Sequence, residues 1–215
     1  MTKIILVRHG QTIWNKLGKY QGQADVELSD AGKRQAELLG ENFPINHIDV
    51  VFASPLIRAR ETAEAVARKF NLPVVTCEEF REINFGDWEG LTYDEIHQKW
   101  PQEHDMLFQS PDQLTCPNGE SFAEVQKRAA GKMLEIIKEY DEKVVVITAH
   151  GGVIRTMLCH ALGMPLKNMW HIKQDNTALN IVSAYEEGMT VELMNSTVHL
   201  MNNDFGCHDN WRRKK

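Results

Sequence analysis

The chain has 215 residues, of which 42% are hydrophobic and 25% charged, and its formal net charge is −6 at pH 7. This length and composition are typical of a soluble globular domain with a substantial core. The negative charge argues against a nucleic-acid or membrane-surface binder, because both roles need a positive field. An anionic ligand would therefore have to meet a local cluster of positive groups.

Cysteine spacing and hydropathy predict a cytoplasmic protein. Cys77, Cys116, Cys159 and Cys207 lie far apart, without a C-x-x-C pair, and are interpreted as reduced thiols rather than as a disulfide framework or a zinc site. The apolar run at 4–7 is too short for a signal peptide, and no stretch approaches the ~18 apolar residues of a membrane span.

Short apolar runs alternate with helical patterns along the chain. The patterns predict strands and helices in the order strand 3–8, helix 30–42, strand 49–53, helix 56–70, strand 73–76, helix 121–140, strand 143–149, helix 152–162, and strands 178–185 and 189–195. Ser29 is expected to cap the first helix, and Pro55 to lie in the first turn of the second. Strands that are buried on both faces and alternate with helices predict an α/β fold, a three-layer sandwich around a largely parallel sheet. The last two strands are typical of an antiparallel hairpin at a sheet edge.

Segment 83–120 interrupts this alternation. It contains Trp88, Trp100, Phe108 and three prolines, and it has no periodic strand. We therefore expect one domain over residues 1–205, in which 83–120 is an inserted cap over the carboxyl edge of the sheet. The tryptophans either pack the cap onto the core or contact a substrate. Residues 206–215, which end in WRRKK, are expected to be a flexible tail.

The first and fourth predicted strands end in the same way. LVRHG places Arg8 and His9 directly after a buried run, and TAHGG places His150 before Gly151. Ligands bind outside the carboxyl ends of parallel strands, so two neighbouring strands of this kind would bring both histidines to one substrate. The glycines, Gly10 among them, would let a ligand approach the backbone, and the helix start that follows favours an anion. The alternative is that each histidine merely caps its strand, which the repetition disfavours.

Arginines indicate the class of ligand. Arg8 adjoins His9, and Arg58 lies one turn into the helix that follows strand 49–53. Arginine binds phosphate oxygens with two parallel hydrogen bonds. Arg60 points to another face of the same helix and is interpreted as a solvated or structural arginine. Taken singly, Arg58 would also be interpreted as structural.

A phosphate site needs an acid that protonates the leaving alkoxide. Glu82, in EEFREINFGDWEG, follows the third strand and would lie at the rim of the same edge. Glu78, Glu79 and Glu89 compete with it on composition alone. Downstream, Glu120 and Ser121 are interpreted either as a helix N-terminal cap or as substrate contacts.

Together, LVRHGQTIWN, SPLIRARETA, Glu82 and TAHGGVIR resemble the histidine phosphatase superfamily, also called phosphoglycerate-mutase-like, over residues 3–195. The resemblance implies an α/β core with a cap, and no metal or organic cofactor. It implies that His9 is the nucleophile that becomes phosphorylated, and that Glu82 is the general acid and base. The phosphoryl group would then be held by Arg8, Asn15, Gln21, Gly22, Arg58, His150 and Gly151.

The chemistry of a phosphohistidine is consistent with these roles. A covalent intermediate replaces one difficult displacement by two easier ones. Cationic and strong donor groups around the transferring phosphoryl group stabilise its charge without Mg²⁺. His9 must be neutral at its attacking nitrogen, and its other ring N–H is expected to donate to a backbone carbonyl at the Gly10 turn.

The residues after Glu82 bear on the reaction and the substrate. Phosphoglycerate mutases continue with a histidine-tyrosine-glycine type of segment, whereas this chain has INFGDWEG, which favours hydrolysis. FGDWEGLTYDEI and PNGESFAEVQKRA are similar to α-ribazole phosphatases of cobalamin assembly, to broad-specificity phosphatases and, more distantly, to fructose-2,6-bisphosphatases. Segment 83–120 has one lysine, Lys99, and no arginine, which favours a substrate whose alcohol portion is apolar or neutral over a doubly anionic one.

The predicted function is therefore a metal-independent phosphomonoesterase acting on a small phosphorylated metabolite, with α-ribazole 5'-phosphate as one candidate. The alternatives within the family are a broad-specificity phosphatase and a phosphoglycerate-mutase-type phosphotransferase. Outside it, the alternatives are a metal-dependent hydrolase and an inactive module that binds a phosphorylated ligand. The sequence does not distinguish a monomer from a homodimer.

Overall fold

A computed structural model describes residues 1–201 of the chain. Within these residues one sheet is formed by the strands β1 (Thr2–Arg8), β2 (Val50–Ala53), β3 (Val74–Thr76), β4 (Val144–Ala149), β5 (Leu179–Tyr185) and β6 (Gly188–Ser196). The strand order across the sheet is β3-β2-β4-β1-β5-β6. β1 to β4 run parallel to one another, while β5 is antiparallel to β1 and β6 to β5. The predicted largely parallel sheet with a hairpin at one edge is confirmed.

The α-helices of the described residues are α1 (Ile13–Lys16), α2 (Asp30–Glu41), α3 (Ile57–Phe70), α4 (Tyr93–Lys99), α5 (Pro101–Gln109), α6 (Phe122–Glu139) and α7 (Gly151–Ala161). Short 3₁₀ turns lie at Glu78–Phe80, Gly86–Trp88, Leu166–His171 and Val198–Leu200. All four long helices that the sequence predicts are present, with ends that differ by one residue or less. α1, α4, α5 and the 3₁₀ turns were not predicted, because they are too short to show a clear 3.6-residue period.

Alternate residues of β1 face the two sides of the sheet. Ile4 and Leu6 pack into a buried cluster that also contains residues of α6 and α7. Ile5 and Val7 pack into a second cluster with residues of α2 and α3. A parallel strand that is buried on both faces has this pattern, since its side chains point in turn to either side. The predicted α/β sandwich, with helices on both faces, is confirmed.

Two predicted helix starts have different outcomes. Ser29 caps α2, and its hydroxyl accepts a hydrogen bond from the Gly32 amide at 3.1 Å. The placement of Pro55 in the first turn of α3 is wrong, because the chain is still extended at Leu56 and the helix begins at Ile57. The Ile57 amide donates a hydrogen bond to Asp25 Oδ1 at 2.7 Å, so a side chain from another segment satisfies an amide in the first turn of α3.

Segment 83–120 has no strand among those described and consists of a 3₁₀ turn, α4, α5 and loops. Buried side chains join it to the same cluster as Ile4 and Leu6, among them Trp88, Ile96, Leu107 and Leu114. Trp88 thus packs the segment onto the core, which is one of the two roles that the sequence left open for the tryptophans. Ser121 caps α6 with Glu124, which settles its interpretation as a helix cap.

Three of the predicted thiols, Cys77, Cys116 and Cys159, are free and buried. Cys207 and the expected tail at 206–215 lie outside the described residues. A single domain over 1–205 with an inserted cap stays a prediction. None of the helices found in residues 1–201 combines the length and the apolar character that crossing a membrane requires.

Candidate active site

The two predicted histidines meet at one edge of the sheet. β1 and β4 pair in parallel with Arg8 opposite Ala149, so the next residue of each strand, His9 or His150, emerges at the same edge. The His9 amide donates to the Ala149 carbonyl at 3.0 Å. The two imidazole ring centroids are 5.2 Å apart. The register of two parallel strands therefore brings these rings together.

The hydrogen bonding of His9 determines its tautomer. Nδ1 lies 2.7 Å from the carbonyl oxygen of Gly10. A carbonyl oxygen only accepts, so Nδ1 carries the hydrogen and Nε2 keeps its lone pair. Burial and the charges of Arg58 and Arg8 hold the pKa of His9 well below its ordinary value, against the opposing effect of the Gly10 carbonyl. His9 is thus a neutral imidazole at neutral pH whose Nε2 keeps its lone pair, and its Nδ1 binds the Gly10 carbonyl as the sequence predicts.

His150 has one ring nitrogen that lacks a hydrogen-bond partner among the described residues. Its Nε2 lies 2.8 Å from the Ser54 hydroxyl, while Nδ1 is buried and has no hydrogen-bond partner within residues 1–201. Burial, followed by the charge of Arg58, lowers the pKa of His150 well below its ordinary value. When Ser54 donates to Nε2, the neutral ring carries its hydrogen on Nδ1 and can donate it to an anion.

Arg58 is a fully buried guanidinium in the first turn of α3. Nη1 donates to the Ala24 carbonyl and Nη2 to the Gly22 carbonyl, both at 2.7 Å, whereas Nε is buried and has no partner among the described residues. Burial lowers the pKa of Arg58 to about 10, so it remains cationic at neutral pH. A buried cation with an unused N–H is an arrangement that a bound anion would complete. Arg60, as predicted, is partly exposed and pairs with Glu64 at 3.6 Å.

Arg8 reaches across to the loop before β5. Its Nη1 donates to the carbonyl of Gln174. A Cβ added at Gly151 would lie 3.4 Å from Arg8 Nε and 3.0 Å from Arg155 Nη1. Gly151 therefore lies against two guanidinium groups, at the start of α7. A positive cluster is thus present at the predicted edge of a chain whose net charge is negative.

Glu82 lies at the N-terminus of α7. Its Oε2 accepts from the Gly152 amide at 3.1 Å, and its Oε1 from the amides of Val153 at 3.2 Å and Ile83 at 3.0 Å. A helix N-terminus favours a negative charge at this place. Since α7 begins directly after His150, the carboxylate is at the edge that holds both histidines.

The three competing glutamates are bound elsewhere. Glu78 pairs with Arg81 at 2.8 Å. Glu79 accepts from Cys77 Sγ at 2.9 Å. Glu89 Oε1 accepts from the amides of Gln23 and Phe85. Of the four glutamates that the sequence offered, the structure brings Glu82 to the N-terminus of α7.

Three further predicted residues surround Arg58 and the α1 turn. The side-chain oxygen of Asn15 accepts from the Thr12 amide at 3.0 Å, and that of Gln21 accepts from the Thr12 hydroxyl at 2.9 Å. These bonds orient the two amides and use only their oxygens, so each NH₂ group is the part that can donate to an anion. Gly22 has a positive φ of 53°, and a Cβ there would lie 2.0 Å from Glu89 Oε1. Its carbonyl holds Arg58, so Gly22 acts through backbone conformation.

The reason for glycine at position 10 differs from the expected one. A Cβ there would lie 2.6 Å from the carbonyl oxygen of Gly32 in α2. Gly10 thus permits close packing of α2 against the end of β1, and the expectation that it makes room for a ligand is wrong. Gly152 likewise makes room for a protein group, because a Cβ there would lie 2.6 Å from Glu82 Oε1.

The sequence reasoning missed two residues of the site. Ser54, which binds His150, directly follows β2 just as His9 follows β1, so the same strand-end pattern could have identified it. The side-chain amide of Asn176 donates to the His9 carbonyl at 3.1 Å. Asn176 precedes β5, and because β5 is antiparallel to β1 it begins at the edge where β1 ends.

One group of side chains within residues 1–201 has the composition of a metal site. Nitrogen and carboxylate atoms of His97, His104 and Asp105 lie within 4.8 Å of one another. They belong to α4 and α5, in segment 83–120, and none of them was predicted to bind phosphate. Tyr93 packs edge-on against His104, with the ring centroids 4.1 Å apart. This group therefore belongs to segment 83–120 and not to the residues that directly follow β1 and β4.

Known proteins are similar to this chain in sequence and architecture. The chain is 35% identical over 200 residues to phosphoserine phosphatase 1 of Hydrogenobacter thermophilus, which covers 93% of this chain and 95% of that protein. The structure of a phosphoserine phosphatase mutant from Entamoeba histolytica in complex with phosphoserine is similar, with a TM-score of 0.84 and 33% identity over 94% of this chain and 100% of that one. A structure from Escherichia coli, named as a candidate α-ribazole-5'-P phosphatase, has a TM-score of 0.82 and 27% identity over 91% of this chain and 97% of that one.

The family model of the histidine phosphatase superfamily, branch 1, matches residues 4–197 of the chain. The match includes most of β1, all of β4 and every residue of the predicted site. The resemblance drawn from the four sequence motifs is therefore confirmed. The chain belongs to the histidine phosphatase superfamily and is a phosphoric monoester hydrolase.

Proposed function

We propose that this protein is a metal-independent phosphomonoesterase that works through a phosphohistidine at His9. One observation carries the proposal: the neutral ring of His9, with Nδ1 bound to the Gly10 carbonyl, lies in one site with the buried cation Arg58, whose Nε–H is unused. A nucleophile with a free lone pair is thereby combined with a guanidinium that forms no direct ion pair within residues 1–201.

In the first step, Nε2 of His9 attacks phosphorus and the bond to the ester oxygen breaks. Glu82, protonated for this step, gives its proton to the leaving oxygen. In the second step water attacks phosphorus and passes a proton to Glu82, and the nitrogen–phosphorus bond breaks. Inorganic phosphate leaves, and His9 and Glu82 return to their starting states.

The positive groups of the site would stabilise the charge of the transferring phosphoryl group. Arg8 and Arg58 carry two charges, and His150 and the amides of Asn15 and Gln21 supply neutral donors. In many phosphoryl-transfer sites this task belongs to Mg²⁺. Donors that are held in place by protein hydrogen bonds need little rearrangement when charge develops, which is why they are effective.

Phosphoserine is the substrate that the relatives favour. Two of the similar proteins described above are phosphoserine phosphatases, at 35% and 33% identity. The ammonium and carboxylate of the serine portion cancel, which suits a cap segment whose only lysine or arginine is Lys99. α-Ribazole 5'-phosphate is the second candidate, supported by the 27% identical structure from Escherichia coli.

A substrate panel tests the proposal. We would measure kcat/KM after exhaustive chelation on phosphoserine, α-ribazole 5'-phosphate, 3-phosphoglycerate, fructose 2,6-bisphosphate and p-nitrophenyl phosphate. We expect full activity without metal and the highest value on phosphoserine. Activity that is lost on chelation and restored by a divalent ion would establish a metal-dependent hydrolase. Phosphoryl transfer to a second hydroxyl without release of phosphate would establish a mutase. Absence of turnover on every substrate would establish a module that only binds a phosphorylated ligand.

A further inference from the structure

Arg128, in the middle of α6, lies outside the predicted site and uses all five of its N–H donors. Nε and Nη2 donate to the two carboxylate oxygens of Glu120, at 2.9 and 3.0 Å. The remaining donors of the guanidinium reach three backbone carbonyls, those of Glu79 at 2.6 Å, Arg81 at 2.8 Å and Glu82 at 3.1 Å. An arginine side chain has no further donor, so every N–H group of this guanidinium is used in these bonds.

The partners of Arg128 surround Glu82 along the chain. On one side the guanidinium binds the carbonyls of residues 79, 81 and 82 directly. On the other side Glu120, the ion-pair partner of Arg128, accepts from the Asn84 amide with Oε2 at 2.9 Å. The chain on both sides of Glu82 is therefore attached to one ion pair, which is about three-quarters buried.

The segment that carries Glu82 has no regular secondary structure, and its other contacts include the buried side chain of Ile83 and the three amides that bind the Glu82 carboxylate. Residues 81–85 belong to no helix or strand and lie between the 3₁₀ turns Glu78–Phe80 and Gly86–Trp88. A side chain on a regular element is held by the hydrogen bonds of that element, whereas an irregular segment depends on contacts from its surroundings. The Glu82 carbonyl also accepts from Gln23 Nε2 at 3.2 Å, so two side chains hold this one peptide.

We propose that Arg128, together with Glu120, is a positioning residue for the general acid Glu82. The proposal rests on the proposed function, since it takes the role of Glu82 from there. Arginine is required because its planar fork binds a carboxylate on one edge and carbonyls on the other, which the single ammonium of lysine does not do. Displacement of a catalytic group by 1 Å can lower the rate by about 10²-fold, so the loss of this ion pair should affect the proton transfer.

The test uses leaving groups of different acidity. p-Nitrophenolate needs little protonation, whereas the alkoxide of an alkyl phosphate needs a proton from Glu82. We expect Arg128→Ala to lower kcat/KM on phosphoserine, or on the best alkyl phosphate of the panel, by about 10- to 100-fold. On p-nitrophenyl phosphate the loss should be no more than about 3-fold, because the phosphoryl pocket is unchanged.

Three further variants separate positioning from charge and from general stability. Arg128→Lys keeps the charge near His150 but loses the fork, and we expect it to behave as Arg128→Ala does. Glu120→Gln keeps the shape of the partner and should show the same dependence on the leaving group, to a smaller extent. Lys132→Ala, one turn further along α6, removes an exposed pair with Glu135 and serves as the control, with unchanged kinetics on both substrates.

The combination with Glu82→Gln decides the result. If Arg128 acts through Glu82, the double variant Glu82→Gln/Arg128→Ala loses no more activity on alkyl phosphates than Glu82→Gln alone. Provided that Glu82→Gln itself slows alkyl phosphates more than p-nitrophenyl phosphate, three outcomes would each overturn the proposal. The first is a double variant whose loss is the product of the two single losses. The others are equal losses on both substrates for Arg128→Ala and full activity of Arg128→Lys. If Glu82→Gln itself slows both substrates equally, the acid role of Glu82 is wrong and the positioning role is wrong with it.

Discussion

Replacing Gly152 by alanine should lower activity while leaving the fold intact. Gly152 is the second residue of α7, and a Cβ there would lie 2.6 Å from Glu82 Oε1, whereas ordinary contact begins at 3.4 Å. The next nearest atoms, Glu82 Cδ and Phe122 Cε1, are 3.3 and 3.5 Å away. The group that has to move is therefore the end of the Glu82 side chain, which also loses its bond to the Gly152 amide.

The expected magnitudes follow from this geometry. A shift of the carboxylate by most of an ångström should lower kcat/KM on alkyl phosphates by about 10- to 100-fold, and much less on p-nitrophenyl phosphate. Alanine is favoured over glycine in a helix by up to about 1 kcal/mol, and the flexible glutamate yields easily. We therefore expect the free energy of unfolding to change by less than about 1 kcal/mol.

Steady-state kinetics on both substrates, combined with urea denaturation, test this prediction. Gly131→Ala is the matched control, because Gly131 lies inside α6 and a Cβ there would meet no atom within 4 Å. It should raise the free energy of unfolding by about 0.4–1 kcal/mol and leave activity unchanged. Full activity of Gly152→Ala on alkyl phosphates, or equal losses on both substrates, would refute the assignment of Glu82 as the acid held by α7.

Three further predictions concern the nucleophile, the phosphoryl pocket and pH. His9→Ala should abolish turnover with the fold retained, and acid-labile phosphate trapped on any other residue would contradict the assignment. Arg58→Lys should lower kcat/KM by about 10²- to 10³-fold on alkyl and aryl phosphates alike, because it removes donors to the phosphoryl group rather than to the leaving group. A loss confined to one of the two substrates would argue against a role of Arg58 in binding the phosphoryl group. Burial lowers the pKa of His199 to about 4, and burial and nearby positive charges hold those of His9 and His150 well below 6.5. Below pH 6.5 the unfolded chain therefore binds more protons than the folded one, so the free energy of unfolding should fall as the pH is lowered from 6.5 towards 4. Urea denaturation at pH 7 and pH 5 measures this difference. Equal free energies at the two pH values would contradict the neutral state of these histidines.

Local patterns sufficed for the part of the site that lies on regular elements. An apolar run that ends in Arg8 and His9 predicts a buried strand and the side chains that follow it, and the same holds for His150. The bond from His9 Nδ1 to Gly10 was predictable because it joins adjacent residues. Arg58 and Arg60 were separated correctly by helical periodicity, since two positions along a helix point to different faces.

Contacts between distant segments were harder to foresee. The competition among four glutamates is decided by which of them reaches α7, and the segment around Glu82 has no period that would indicate its path. The roles of Gly10 and Gly152 depend on which segment approaches each Cα. In both cases the neighbour is a protein group from elsewhere in the chain, a carbonyl of α2 and the carboxylate of Glu82.

By itself, then, the sequence determined the α/β class, the edge hairpin, the family and the residues that the two central strands deliver. These follow from periodicity and from motifs, which act over a few neighbouring residues. Only the tertiary structure decided that Ser54 meets His150, that Asn176 reaches His9 and that Arg128 holds the chain around Glu82. The physical reason is that a hydrophobic pattern specifies which face of an element is buried, but the order of strands and the path of irregular segments specify what that face meets.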